Sequence, residues 1–359
     1  MRKHYLDNIR WATVVIVVLY HVEYMYNAEG VNGPLGKITN LDVQYYDIFQ
    51  YIVYPWIMMV LFMVSGISSR LQLEKYDHTT FLGDRTTKLL VPSTLGLVAF
   101  QFIQGYVSTT IVDGLADTPD LPWAFNMIIY ILVGIGVLWY LHLLWIYCVI
   151  LVPVRLIEKD RLWNLCRKAG LPVLMALVIP VYGAGQVLNA HTIVMYRLGL
   201  YLAVFLLGYF VLSHDEVIDV LKKWFPLMLV ISLVLGTIFC VRYFGQNYAD
   251  APIYLTPLFI GYGYFACLAI IGGWAKYGDF SNKFTQWMNE RSYGLYIFHY
   301  LGISSVALYI AKPGLLSPPL IYLLSVFAGF GGGYLLNAII SRIPWYRWAV
   351  LGIDEEKKK

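Results

Sequence analysis

Long apolar runs separated by short polar stretches make up most of the chain. The runs are continuous rather than alternating, which argues for helices and against the two-residue period of a membrane β-barrel. A helix that crosses a bilayer needs about 20 mostly apolar residues. On that criterion the pattern predicts ten spans, over residues 6–26, 48–69, 89–112, 137–154, 171–189, 194–213, 224–242, 252–273, 292–311 and 319–341. Residues 121–154 carry no charge, yet two spans and a turn would need roughly 40 residues. They read as one span preceded by a half-buried segment around Trp123–Gly136, where Gly134 and Gly136 let the chain bend. No internal repeat, low-complexity linker or second domain is visible, so residues 1–359 are expected to form one integral-membrane domain.

Composition turns the pattern into a class. Of 359 residues, 59% are hydrophobic and 13% charged, with mean hydropathy +0.62. Soluble domains carry about 25% charged residues. A cytosolic enzyme, a secreted domain and a disordered chain are excluded, because none could hide so much apolar surface. The 30 Tyr and 11 Trp fit the aromatic belts of membrane interfaces.

Charge placement sets the orientation. With ten spans and the N-terminus inside, all 26 Lys and Arg fall in cytoplasmic segments except Lys37, Arg197, Arg242 and Lys312. The outer loop Asp113–Asp120 is acidic, and Lys357–Lys359 would be a cytoplasmic tail. The expected fold is therefore an all-α polytopic bundle of about ten transmembrane helices with both termini cytoplasmic. Arg10 interrupts the first run, and no small-residue cleavage site follows it, so the N-terminus does not read as a cleavable signal. Cys148, Cys166, Cys240 and Cys267 form no CxxC or Cys/His cluster, so neither a disulfide framework nor a metal site is expected. No Walker loop, dinucleotide fingerprint, HExxH helix or serine elbow occurs. Gly329-Phe330-Gly331-Gly332-Gly333 reads as close helix packing.

Ionisable groups inside a span are costly and are candidates for function. The first span holds Asp7, Arg10, His21 and Glu23. Arg10 and His21 are 11 residues apart, about three helical turns, and so share a face, with Asp7 close to it. At 1.5 Å per residue, His21 lies about 16 Å beyond Arg10, past the middle of the hydrocarbon. Imidazole exchanges protons near neutral pH, which suits a general base. The plainer alternative is an interfacial Arg and a His satisfied within the bundle. His142 and His299 are two more intramembrane histidines, each also readable as a helix-packing polar group. Arg70 and Lys75, then Arg85 and Lys88, mark the second inner loop. Arg85 and Lys88 would neighbour each other on a helix and could hold a phosphate-rich ligand, although the positive-inside bias alone also accounts for them.

These residues resemble a known family. Tyr5-Leu6-Asp7-Asn8-Ile9-Arg10, ten residues and then His21 is similar to the opening of the bacterial membrane acyltransferase family 3. Arg85-x-x-Lys88 with Pro92 resembles its second motif, with Lys in place of the usual Arg, which loses the bidentate fork. Leu138-Trp139-Tyr140-Leu141 and Ser292-Tyr293-Gly294-Leu295-Tyr296-x-x-His299 resemble its later, looser motifs. The resemblance covers all ten spans and implies a multi-pass O-acyltransferase of the plasma (inner) membrane. Such an enzyme moves an acyl group, commonly acetyl, from cytoplasmic acyl-CoA to a hydroxyl of an extracytoplasmic or lipid-linked acceptor, often a glycan. The lipid bilayer is its surroundings, and nucleic acid is not among its partners. Some members add an extracytoplasmic hydrolase-like domain, which is not expected in a chain that stops at Lys359. On this reading Arg85, Lys88 and Arg70 hold the coenzyme A phosphates and no metal takes part. His21 is the base or an acyl-carrying nucleophile, Arg10 orients the donor or an oxyanion, and Asp7 holds Arg10. Trp139, Tyr140, His142 and His299 would face the acceptor. The rival class is a secondary transporter using the same His, Arg and Asp as a proton or substrate relay.

Overall fold

The computed structural model describes residues 3–118, 120–189 and 196–353. Its long helices are α1 (His4–Met25), α2 (Tyr45–Leu73), α3 (His78–Ile111), α4 (Trp123–Val133), α5 (Gly136–Glu158), α6 (Leu171–Gly185), α7 (Leu198–Phe210), α8 (Asp215–Tyr243), α9 (Pro257–Tyr277), α10 (Lys283–Ala311) and α11 (Pro318–Ile340), followed by the short α12 (Pro344–Leu351). Among the described residues an isolated bridge between Asn189 and Arg197 is the one β-type pairing. Among the described residues seven helices, α2, α3, α5, α8, α9, α10 and α11, are long and apolar enough to cross a membrane. α4, α6 and α7 are apolar but shorter.

Each of the ten predicted runs contains a helix, and the run 252–273 is broken at Leu255 and Thr256, between a single turn over Ala251–Tyr254 and α9. The run 171–189 ends at Gly185, and Leu188 turns the chain with a positive φ of 56°. The run 194–213 is helical from Leu198, and residues 194–195 lie outside the described residues. So does the predicted tail Lys357–Lys359. The half-buried segment before α5 is a separate helix, α4, which ends where Gly134 presses on α3. α1 stays unbroken for 22 residues in spite of its charges.

Contacts group the chain into two compact units of interleaved segments. The first comprises Met1–Thr13, Tyr51–Gly83 and Ile146–Asn289. Here Gly66 of α2 and Gly208 of α7 face each other's helix. A Cβ on Gly66 would lie 2.0 Å from the Phe205 carbonyl oxygen, and one on Gly208 would lie 2.1 Å from that of Met63. Lipid gives helices no hydrophobic drive to associate, so such backbone approach supplies the packing.

The second unit comprises Val14–Gln50, Asp84–Trp145 and Glu290–Lys359. It holds four π-type turns, Thr86–Leu90, Leu97–Gln101, Ala307–Ala311 and Ala328–Gly332. Each adds a residue to a helical turn and so re-aims the side chains beyond it. The glycine run of α11 lies here. A Cβ on Gly302 would meet the Ala328 carbonyl oxygen at 2.2 Å, and one on Gly329 would meet Val18 of α1 at 3.0 Å and Ile303 of α10 at 3.1 Å. The run thus draws α1, α10 and α11 together, as its reading as a packing motif anticipated.

Gly66→Ala and Gly208→Ala are each expected to cost about 1–3 kcal/mol through overpacking. Thermal unfolding in detergent would read this as a lowered midpoint. Gly261→Ala, on a helix with open space around it, should leave the midpoint unchanged or raise it.

Candidate active site

His21 and His299 meet in the second unit. The ring nitrogens His21 Nδ1 and His299 Nε2 are 3.2 Å apart. α1 supplies one ring and α10 the other, and the glycine run of α11 holds the two helices close. A Cβ on Gly333 would sit 2.9 Å from Leu295 Cδ1 and 3.5 Å from the His299 backbone nitrogen.

Hydrogen bonding assigns the protons. His299 Nδ1 faces the carbonyl oxygens of Leu295 and Tyr296 at 3.1 and 2.9 Å. Carbonyls only accept, so Nδ1 carries the hydrogen and Nε2 of the neutral ring is an acceptor. His21 Nδ1 lies 2.8 Å from the Val17 carbonyl and faces His299 Nε2, two acceptors, so it too is the donor. The His21 Nε2 lone pair is then left for other chemistry, and it has no hydrogen-bond partner among the described residues. His299 is fully buried, whereas His21 is half-buried. Rings of Tyr300, Tyr20 and Tyr24 stand 5.1, 5.3 and 5.9 Å from the His21 ring centre. The result is a proton acceptor fixed in orientation by a neutral partner and walled by phenols.

Arg10 and Asp7 lie on the part of α1 that belongs to the first unit. Arg10 Nη1 donates to Asp7 Oδ1 at 2.9 Å, and Nη2 reaches Ser68 Oγ of α2. Asn8, one position on, donates to the carbonyls of Gly278 and Phe280, both at 2.8 Å, and pins the helix. Arg10 opens on a polar cleft of about 1040 Å³, lined also by Lys3, Lys75, Trp163, Arg167 and His214. His214 stacks on Trp163 at 4.1 Å and bonds its carbonyl, and burial pushes its imidazole below the usual range.

The other sequence candidates separate. Arg70 does not reach this cleft as an available cation. It is 4% exposed, bonded to Glu74 at 2.9 Å and Asp160 at 2.5 Å, and stacked on Trp163 at 3.8 Å. Arg85 ends the first turns of α3, and Lys88 follows in the π-type turn, paired to Asp84 at 2.9 Å. The Lys88 carbonyl accepts from Tyr293 at 2.6 Å, which links the second and last motifs. Trp139 and Tyr140 are almost wholly buried. The Tyr140 ring packs on Tyr296 at 6.0 Å, and Tyr296 lies 6.3 Å from His299. His142 is half-buried and held by the backbone of Ser93.

Sequence reasoning missed Ser68, Tyr20, Tyr24, Tyr300 and the cleft residue Trp163, and it gave little weight to His214 as a loop residue. Tyr20 and Tyr300 adjoin the two histidines and could have been found by adjacency. Ser68 and Trp163 carry no signal in one sequence, because their roles depend on which helices meet.

The pattern of the family-3 acyltransferase domain matches residues 3–338. No curated protein and no solved structure matches the chain.

In the loop that follows α1, Glu29 lies against Asp47. Burial raises the Glu29 carboxyl to about 7, and the neighbouring Asp47 charge adds to the rise. An unfolded Glu titrates at about 4.3. The folded chain therefore holds this proton more tightly. The resulting stability is full below about pH 4.3 and is lost as pH rises through about 7. Unfolding midpoints between pH 4.5 and 8 should fall less steeply in Glu29→Gln than in the wild type.

Proposed function

The chain belongs to acyltransferase family 3, and we propose that it moves an acyl group, acetyl by default, from cytoplasmic acyl-CoA to a hydroxyl of an extracytoplasmic or lipid-linked acceptor. A carbohydrate is the acceptor class that this reading favours. The protein is a multi-pass membrane acyltransferase. The reading adds ten spans, cytoplasmic termini and a plasma-membrane location. The observation that carries it is the His21–His299 pair, which leaves one imidazole lone pair oriented and unused.

The chemistry follows from that lone pair. His21 Nε2 takes the proton of the acceptor hydroxyl as its oxygen attacks the thioester carbonyl. The carbon–sulfur bond breaks, the ester forms, and the departing thiolate recovers the proton from His21. While His21 carries that proton, its Nδ1–H donates to His299 Nε2 and steadies the imidazolium. The same lone pair could instead carry the acyl group for a moment, as a nucleophilic relay. His299 acts as a positioning residue and not as an acceptor contact. The half-buried Tyr24 and Tyr300 rings offer surfaces beside His21 on which a sugar can pack.

Arg85 and Lys88 are the cations proposed for the coenzyme A phosphates. Arg10, braced by Asp7, is proposed to orient the donor or a developing oxyanion. Arg70 is given a structural role, since Asp160 and Glu74 already use its charge.

His21→Ala should abolish acyl transfer by purified protein while leaving the unfolding midpoint within a few degrees of the wild type. Full activity in that variant would defeat the proposal. His299→Phe, which keeps the volume but loses the acceptor, should lower kcat by about 10²-fold and leave donor affinity unchanged. Calorimetric titration with acetyl-CoA should show binding in the wild type that weakens at least about tenfold in Arg85→Ala/Lys88→Ala. Unchanged affinity would move the donor elsewhere, with the Arg10 cleft as the next place to look.

A further inference from the structure

Arg197 stands at the start of α7 in the first unit and is 3% exposed. Its Nη2 donates to the Tyr54 hydroxyl at 2.6 Å. The guanidinium carbon lies 4.2 Å from the centre of the Tyr254 ring and 5.0 Å from those of Tyr54 and Phe259. Nε is fully buried and has no hydrogen-bond partner among the described residues. Nor does any carboxylate among them lie within ion-pair distance of Arg197. Arg70, also buried in this unit, has two carboxylates.

The position makes the missing counter-charge more costly. α7 begins at the next residue, and α9 begins two residues before Phe259. Arg197 is the residue just before α7, at the positive end of that helix's dipole, which offers its charge no compensation. Aromatic faces offset part of the charge but offer no acceptor to Nε. A buried, hydrogen-bonding cation placed where the backbone field is already positive is arranged for an anion that is not part of the chain.

We propose that Arg197, with Tyr54 and Tyr254, forms an oxyanion-binding site that accepts a carboxylate or phosphate group at the end of the first unit where α7 and α9 begin. Nε–H and the second Nη2–H present the edge of the guanidinium to which two oxygens dock. The Tyr54 hydroxyl holds the plane of the group, and the Tyr254 ring covers its face. The inference stands on this geometry alone and is independent of the acyl-transfer reading. A free or acceptor-borne anion and a lipid headgroup share this chemistry.

The test uses the full chain in nanodiscs of zwitterionic phosphatidylcholine, with inorganic phosphate against chloride at matched ionic strength. The wild type should show a saturable rise in unfolding midpoint, about 3 °C at tenfold excess over Kd. The rise should persist in Arg85→Ala/Lys88→Ala and vanish in Arg197→Gln. Should Arg197→Gln not fold, Arg197→Lys keeps the charge without the fork and should show a weaker rise. A wild type already stabilised in phosphatidylglycerol nanodiscs, in an Arg197-dependent way, identifies a lipid headgroup as the source. An equal rise in the Arg197 variant, or no rise in either lipid, overturns the proposal.

Discussion

The hydrogen bond from His21 Nδ1 to His299 Nε2 organises the candidate active site. In a lipid-embedded bundle a polar atom without a partner costs several kcal/mol, so imidazole nitrogens do not stay idle by accident. Of the four ring nitrogens, three are accounted for by Val17, Leu295, Tyr296 and each other. The fourth, His21 Nε2, keeps its lone pair. The glycine run of α11 is the structural counterpart of this arrangement. Side chains at Gly329 or Gly333 would push on α1 and α10 where the two histidines meet.

The arginines show three answers to the cost of charge. Arg70 is neutralised by two acids and stacked on Trp163, which makes it a structural cross-link. Arg10 is paired with Asp7, reaches Ser68 and lines a polar cleft. Arg197 has aromatic rings and a phenol but no acid among the described residues. Burial alone would not have separated Arg70 from Arg197, because what differs is the acceptor each one finds.

Much of the helical layout is legible in the sequence because hydrophobic runs report it directly. Arg10, Asp7 and His21 are legible for the same reason, since a single helix fixes their spacing. Asp7 lies one turn before Arg10, and that contact follows from the period. What the sequence hides is which helix faces meet. His299 is visible as a costly intramembrane residue, but its partner lies 278 positions away. Arg70 reads as one of a row of inner-loop cations, and the Asp160 that claims it lies 90 positions on. α6 and α7 read as full spans because their apolar runs continue past the residues where the helices stop.

The central claim concerns the site of a proton, and nitrogen-15 NMR of histidine-labelled protein at pH 8.5 tests it directly. His21→Gln and His299→Gln spectra identify the two rings by difference. The account predicts that both neutral rings carry hydrogen on Nδ1 and that His21 Nε2 shows the shift of a bare, unprotonated nitrogen. Hydrogen on Nε2 of His21, with Nδ1 unprotonated, would contradict it, because the base would then have its lone pair turned into the bundle.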